Sequence, residues 1–351
     1  MGKSRNIVQR EHAWLYDVNN IEPVVKRYLI EKGVNVHLTS RVVDVDFSKK
    51  RINAIYLSDG SKVEGDVFVE TTGGTGPMGN CAKYGNGCSM CVLRCPSFGP
   101  RVSLTKCCGL DDFIGERSPE VYGAFSGSCK LAKESLSEEI REELDRNGVV
   151  VLKIPEEDVN LDKLKQKVCQ QYALKEFAEN VVLLDTGHAK LMTSYYPIEK
   201  LRKIKGLENA KYVDPYAGGK GNSLRYFSIA HRKNDMSAIG VENLFVAGEK
   251  AGLFVGHTEA ICTGTLAGHN AARMAFGKST LVLPKDLAIG EIISYANYCL
   301  LTKKDKISTC TFAGSVFFNR MKKLKLYTID TAEIMKRVKK AELLDVFEER
   351  F

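Results

Sequence analysis

The chain has 351 residues, which is enough for two domains with substantial hydrophobic cores. Hydrophobic residues make up 44% and charged residues 27%, as in an ordinary soluble globular protein. No apolar run approaches the ~20 residues that cross a bilayer, and the first residues lack the apolar segment of an export signal. We therefore expect a cytoplasmic protein with no membrane partner.

The formal net charge is +8, and an excess of positive charge attracts nucleic acids or acidic metabolites. Basic residues are concentrated in two C-terminal runs, 320–325 and 336–340, both in helix-like sequence. Elsewhere they are dispersed, which is typical of a solvated surface. RNA is therefore a permitted partner but not the favoured one.

The first part of the chain predicts a helix followed by an antiparallel meander. Apolar residues recur at helical spacing over 21–32, and Gly33 follows as a stop. Asp59-Gly60 predicts a tight hairpin turn, and a buried strand over 66–71 ends at Thr72-Gly73-Gly74. The short extended segments before that strand are 34–38, 41–47, 51–57 and 62–64.

A second glycine-bordered turn follows the apolar run 244–247, which predicts a short buried strand. Gly248 and Glu249 end that strand, and a helix rich in small residues is predicted to begin near Thr258. This order places helix N–H groups at the carboxyl end of a parallel strand. Dinucleotide phosphates bind at such places, because backbone donors and the helix dipole converge there.

The segment from Leu244 to Ala272 resembles the C-terminal flavin-binding motif of two-dinucleotide-domain flavoproteins. It is most similar to the glucose-inhibited division protein A (GidA) family. The resemblance implies an α/β fold of the FAD/NAD(P)-binding type and an FAD cofactor. The cofactor-binding residues that it implies are Val42, Val43, Thr72, Gly73, Gly74, Gly248, Glu249, Gly252, Gly256, His257 and Glu259.

One half of such a domain is not evident. FAD domains of this kind open with a strand, a G-x-G-x-x-G turn and a helix, and nothing before Ile21 provides them. The glycines at 74, 76 and 79 have the right spacing, but Pro77 interrupts the helix that the fingerprint requires. Three explanations stay open: an N-terminally incomplete product, a second polypeptide that supplies the missing half, or a chain that no longer binds FAD tightly.

Eleven cysteines occur without an export signal, and six of them fall within 81–108. Such clustering indicates thiols, metal ligands or redox chemistry rather than a disulfide scaffold. The spacing matches the latter part of an iron–sulfur run. Three interpretations stay open: an iron–sulfur or zinc site, a thiol–disulfide relay to a flavin, or buried thiols without chemistry. The predicted metal ligands are Cys81, Cys88, Cys91 and Cys95.

Four residues form the predicted catalytic set: Cys91, Cys95, Arg101 and His188. The stretch ending at Arg101 resembles a GidA segment near the flavin, so the resemblance implies that Arg101 holds an anionic substrate or the electron-rich edge of the flavin. A loop arginine paired with a local carboxylate is equally compatible. His188 lies in a polar loop and titrates near neutrality, which suits a proton donor, although a solvated loop histidine is the alternative.

The expected domains are a discontinuous, partial FAD-binding domain at 1–74 and 241–280, an inserted substrate and cysteine-rich α+β domain at 75–240, and a helical C-terminal appendage at 281–351. The main functional hypothesis is an FAD-dependent oxidoreductase with a cysteine-rich redox or iron–sulfur loop and a small-molecule or protein redox partner. The alternatives are an RNA-modifying GidA-like flavoprotein and a non-catalytic binding or structural subunit.

Overall fold

Helices and strands are interleaved along the chain, as in an α/β protein. The computed structural model describes residues 18–74, 102–118, 121–122, 124–126, 130–165, 174–193, 196–213, 223–225, 228–302, 310–312 and 315–351. Over these ranges, no helix is both long and apolar enough to span a bilayer.

Helix α1 (Val18–Glu31) begins three residues before the predicted start, so Pro23 lies inside the helix rather than at its first turn. Proline has no N–H to donate, so this position forgoes one helical hydrogen bond. Many of the large apolar side chains of α1 stay accessible to solvent; Val24 is 55% and Tyr28 is 58% exposed. An apolar face of α1 is therefore exposed to solvent.

An antiparallel meander follows, made of β1 (Val42–Ser48), β2 (Arg51–Leu57) and β3 (Lys62–Glu64) in that order. Ile52 and Ala54 alternate with exposed residues on β2 and are buried, as the period of a half-buried strand requires. Gly60 has φ 87° in the predicted hairpin turn. The segment 34–38, expected to be extended, forms no strand.

The next strand, β4 (Phe68–Glu70), pairs in parallel with a strand from far along the chain, Leu244–Val246. Asn243 fixes this pair to the meander. Its side chain accepts from the N–H of Ile52 at 2.9 Å and donates to the carbonyls of Ile52 at 2.8 Å and Asp66 at 2.9 Å. One buried amide therefore sets the position of β2 relative to β4.

A four-stranded antiparallel sheet lies in the middle of the chain; across the sheet its strands are Val149–Lys153 (β10), Asn180–Asp185 (β11), Ala189–Leu191 (β12) and Lys130–Leu131 (β9). Apolar residues at helical spacing predict a helix over 131–147, which Gly148 is expected to end. The helix begins at Glu138 instead, because Leu131 belongs to β9. Ser137 caps that helix and Gly148 ends it with φ 73°. The strands after β4 are β5 (Phe113–Ile114), β6 (Glu116–Ser118), β7 (Val121–Tyr122), β8 (Ala124–Ser126), β9 (Lys130–Leu131), β10 (Val149–Lys153), β11 (Asn180–Asp185), β12 (Ala189–Leu191), β13 (Ser223–Arg225), β14 (Ser228–Ile229) and β15 (Leu244–Val246).

The remaining helices are mostly short before residue 250 and longer after it. A helix is expected over 161–180; there the described residues form two short helices at its ends. The helices after α1 are α2 (Leu104–Cys107), α3 (Glu138–Asn147), α4 (Asp162–Lys165), α5 (Glu176–Glu179), α6 (Ile198–Leu201), α7 (His257–Ala275), α8 (Ala288–Thr302), α9 (Ser315–Lys323) and α10 (Thr331–Lys340).

Two main hydrophobic clusters organise the described residues. The first joins β2, the β4–β15 pair and α7 with residues of α8 and α9, from Ile52 to Met321. The second lies within 131–210 and is built on the four-stranded sheet. The domain boundaries drawn from the sequence stay a prediction, although the first cluster takes residues from all three expected domains.

Candidate cofactor site

Two glycine turns meet at the carboxyl ends of the parallel pair β4–β15. The first, Thr72–Gly74, follows β4, and the second is a 3₁₀ turn at Gly248–Ala251 that follows β15. A Cβ placed on Gly74 would lie 3.0 Å from the carbonyl oxygen of Glu249. A larger residue at position 74 would push the Glu249 backbone away by a few tenths of an ångström, so glycine suits this close approach of the two backbones.

Helix α7 begins beside this corner. Gly256 precedes it with φ 123°, a conformation that side chains disfavour. The hydroxyl of Thr263 accepts from the N–H of Gly248 at 2.9 Å and donates to the carbonyl of Glu259 at 2.7 Å, which ties the turn to the first helical turns. The first N–H groups of a helix have no partner within it, so they are available to an anion.

A cleft of about 470 Å³ opens on the other side of β4. This volume falls within the usual range for small-molecule sites. Five consecutive residues of β4 and its turn, from Phe68 to Thr72, line it, so the cleft follows an edge of the strand rather than one face. Across the cleft lie residues of β1 and β2, including Val42 and Ile55. Within the described part of the chain, β4 is hydrogen-bonded to β15 alone.

Behind the corner lies a buried ionic cluster that sequence inspection missed. Lys250 is 1% exposed; its Nζ lies 2.7 Å from Asp112 Oδ2, 2.7 Å from Ser103 Oγ and 3.8 Å from Glu70 Oε1. Asp112 also accepts hydrogen bonds from Ser103 at 2.7 Å and from Thr105 at 2.5 Å. The cluster therefore joins the 3₁₀ turn to the segment that holds α2.

Glu70 connects this cluster to the first glycine turn. One of its carboxylate oxygens accepts from Thr72 Oγ1 at 2.8 Å, and the other accepts from the N–H of Leu104 at 3.1 Å. Burial raises the pKa of Glu70 above its ordinary 4.5, and Lys250 offsets only part of that effect. Burial also raises the pKa of Asp112, but the Lys250 ammonium and several hydrogen bonds outweigh it and hold that pKa below 3.8.

Ser228 completes the connection between the cluster and the corner. Its backbone N–H donates to the carbonyl of Gly74 at 2.7 Å, and its hydroxyl donates to Asp112. Lys250 is in turn held by its own carbonyl, which accepts from the N–H of Ala230 at 3.0 Å. Both glycine turns are therefore fixed to the same buried ions.

The structure brings many of the predicted cofactor residues together. Val42 and Thr72 line the cleft, while Gly73, Gly74, Gly248 and Glu249 form the corner. Val43 follows Val42 on β1 but does not line the cleft. The role of these residues in cofactor binding stays a prediction.

Three further predicted residues lie near the start of α7. Gly252 follows the 3₁₀ turn, and a Cβ there would come within 3.2 Å of the Phe254 ring. His257 is exposed at the first position of α7. Glu259 is 3% exposed; one carboxylate oxygen accepts from the N–H of Phe312 at 2.6 Å, and the other lies against Gly256, where a Cβ would clash with it.

The predicted catalytic and metal residues are not assembled in the described residues. His188 is exposed in the hairpin between β11 and β12, in the unit built on the second cluster. The ranges that the structure describes contain no group of histidine, cysteine and carboxylate side chains suited to a metal. Five residues lie outside the described residues: Cys81, Cys88, Cys91, Cys95 and Arg101.

Sequence reasoning missed Lys250, Asp112 and Glu70 because they are charged residues in a charged sequence. The available signal was local. Lys250 lies in the glycine turn that follows the apolar strand β15, and Glu70 is the last residue of strand β4. Lys250 is 138 residues from Asp112 and farther still from Glu70, and local sequence spacing does not predict contacts over such distances.

The family model of glucose inhibited division protein A matches residues 3–195 and 162–279. These two overlapping matches cover well over half of the chain, and the chain belongs to this family. The match confirms the resemblance that rests on the 244–272 segment.

Curated relatives include the tRNA uridine 5-carboxymethylaminomethyl modification enzyme MnmG of Chlorobaculum tepidum. It is 30% identical over 200 residues, which cover 54% of this chain and 31% of that enzyme. The methylenetetrahydrofolate–tRNA-(uracil-5-)-methyltransferase TrmFO of Lactobacillus johnsonii is 36% identical over 116 residues, which cover 29% of this chain and 26% of that enzyme. The matched segments thus span about a third or less of these relatives.

Among solved structures, GidA of Aquifex aeolicus in its form II crystal is similar to this chain, with a TM-score of 0.47 and 17% sequence identity. The superposed part covers 86% of this chain and 57% of the Aquifex chain.

Proposed function

We propose that this chain is an FAD-binding part of a tRNA-modifying flavoenzyme. The observation that carries the proposal is the corner where the turns at 72–74 and 248–251 touch, beside the start of α7 and next to a cleft of about 470 Å³. Membership of the family and the names of the two curated relatives support it. They favour the RNA-modifying alternative over the oxidoreductase of unknown substrate that we expected first.

The residues present fit one part of FAD. In this proposal the start of α7 and the glycine turns receive the phosphate and ribityl groups, because glycine turns and a helix start bring backbone N–H donors close to an anion. The cleft between Val42 and Thr72 receives a flat aromatic group such as adenine. Bound FAD would supply electron or hydride transfer; the described residues bind it, orient it and exclude water.

The edge of β4 that faces the cleft motivates a second proposal. A strand edge carries N–H and C=O groups that seek partners, and α1 exposes apolar side chains as well. We propose that a further βα segment, from a second chain or from another part of the same protein, adds to this edge. The purified chain is then expected to bind FAD weakly, and the added segment to tighten binding, as fluorescence titration would measure.

The basic C-terminal surface fits the RNA part of the proposal. Residues 320–340 carry eight basic and two acidic side chains. Lys336, Lys339 and Lys340 are exposed and lie three or four residues apart on α10, so they share one face of the helix. Such a face attracts a phosphate backbone.

The test of the function uses the purified chain in two assays. FAD is titrated while flavin fluorescence and the visible flavin bands are recorded, and retention of unmodified tRNA is measured by gel shift. Binding of both supports the proposal. Binding of FAD without tRNA supports an FAD-dependent oxidoreductase instead. Binding of neither ligand supports the hypothesis of a non-catalytic binding or structural subunit.

The cysteine segment is kept as a separate hypothesis. A metal site at Cys81, Cys88, Cys91 and Cys95 predicts iron and acid-labile sulfide, or zinc, in the purified protein. Replacement Cys91→Ser is expected to lower the metal content. Protein that carries neither metal nor sulfide excludes the cluster.

A further inference from the structure

We propose that Lys250 is a positioning residue that holds both glycine turns of the cofactor corner in register. This inference rests on the proposed flavin function for its purpose, although the geometry stands without it. Lys250 lies within the second turn and reaches back to the carboxylates that hold the first.

The path from Lys250 to the first turn has two branches. In one, the ammonium lies 3.8 Å from Glu70 Oε1, which also accepts from Thr72 Oγ1 at 2.8 Å. In the other, it bonds Asp112 at 2.7 Å; Asp112 accepts from the hydroxyl of Ser228, whose N–H donates to the Gly74 carbonyl at 2.7 Å. Each end of the turn at 72–74 is thus reached through a different carboxylate.

Burial makes this arrangement specific. Lys250, Glu70 and Asp112 are 1%, 2% and 7% exposed, so the three charges interact away from bulk solvent. Without the ammonium, the two buried carboxylates lose both a donor and the charge that compensates them. Their shift would move Thr72 at the cleft and Gly74, which lies close against the backbone of Glu249.

The chain offers a matched control for a lysine between two carboxylates. Lys133 lies 2.8 Å from Asp145 and 2.9 Å from Asp185 in the unit built on the second hydrophobic cluster. That bridge is more exposed, since the side chains of Lys133 and Asp145 are 21% and 63% accessible, so its loss controls for removal of a bridging lysine away from both glycine turns. Any effect of Lys250 that Lys133 shares is general destabilisation.

The experiment compares Lys250→Met combined with Asp112→Asn, Lys250→Met alone, Lys133→Met and the unaltered chain. The double variant removes one cation and one anion, so it is the version expected to fold even if the single variant does not. Thermal unfolding shows which variants are folded. FAD affinity and the position of the flavin absorbance bands are then recorded for those.

We expect the folded double variant to bind FAD about 10-fold or more weakly and to shift the flavin bands, as loss of a supporting residue commonly does. Lys133→Met should bind FAD as the unaltered chain does. Unchanged affinity and bands in the double variant would overturn the proposal.

A second measurement separates this inference from the proposed function. If the unaltered chain binds no flavin, the function fails, and hydrogen exchange then tests the positioning alone. The amides of Leu104 and Ser228 donate to Glu70 and Gly74, so they should exchange about 10-fold faster in the double variant, while β10 and β11 keep their protection. Equal exchange at both amides contradicts a positioning role.

Discussion

Arg232 is a fully buried cation whose guanidinium is satisfied by backbone carbonyls. It donates to Ala251, to Lys233 at 3.1 Å and to Ile293 at 2.9 Å, and it lies 5.3 Å from the centre of the Phe254 ring. Burial lowers its pKa, which reflects the cost of taking the charge out of water. The contacts fasten the second glycine turn to α8.

Replacement Arg232→Met is expected to lower the free energy of unfolding by on the order of 3 kcal/mol, because two buried carbonyls and one partly buried carbonyl lose a charged donor. Urea unfolding measures this change. Arg232→Lys keeps the charge but lacks the planar guanidinium group. Its free energy of unfolding should therefore lie between those of the Met variant and the unaltered chain. A Met variant within about 0.5 kcal/mol of the unaltered chain would refute the assignment.

The surroundings of Cys107 and Cys108 disfavour the thiolate form of both side chains. Burial, reinforced by nearby acidic groups, raises the pKa of Cys107 to about 11 and that of Cys108 to about 12. The thiolate is the reactive form, so at pH 8 we expect iodoacetamide to label this pair roughly 100-fold more slowly in the folded chain than in urea. Mass spectrometry of the peptide follows the reaction, and equal rates in both states would contradict the assignment.

At the scale of elements, the corner of β4 and β15 carries two carboxylates whose ionisation acts on stability in opposite directions. Glu70 has a raised pKa, so its contribution is present below pH 4.5 and is lost as the pH rises through its folded pKa. Asp112 has a lowered pKa, so its contribution is present above about pH 4 and is lost in stronger acid.

Replacement Glu70→Gln should therefore change how stability depends on pH. The amide keeps an oxygen for Thr72 but does not titrate. We expect the thermal midpoint of the variant, relative to the unaltered chain, to rise from pH 4.5 through the folded pKa of Glu70 and to level off above it. The midpoints of both proteins are measured across that range, and two parallel curves would show that Glu70 titrates normally.

The elements around the corner differ in how far the sequence predicts them. The meander, the Gly148 stop, and the strand and turn at 244–249 follow from local spacing and from glycine, so they could be read directly. Local periodicity predicts that α3 begins at Leu131, whereas it begins at Glu138. The difference arises because Leu131 pairs with Ala189, and local periodicity contains no information on that pairing. The Lys250 cluster is missed for the same reason: burial of a charge depends on distant partners.

At the scale of the whole molecule, most of the excess positive charge can be assigned to one C-terminal region. Replacing Lys336, Lys339 and Lys340 with glutamine is expected to weaken tRNA binding and to reduce the slope of log affinity against log salt by about 2 units. Gel shifts at several salt concentrations measure both quantities.

The same change in net charge at Lys203, Lys205 and Lys211 serves as the control, because these lysines belong to the unit built on the second cluster. Equal losses of tRNA affinity in the two triple variants would indicate a diffuse electrostatic attraction and would contradict a defined RNA surface on α10.

The two hydrophobic clusters have a consequence for how the chain acquires its structure during synthesis. The second cluster closes within one continuous stretch, so it can consolidate as soon as residue 212 has left the ribosome. The first cannot: Ile52 must wait for Phe317 and Met321. Of the other buried members, only Leu104 and Cys108 are made before Ala230. For about 180 residues of translation the early meander therefore stays without most of its core, and this interval is when the nascent polypeptide is most exposed to aggregation and proteases.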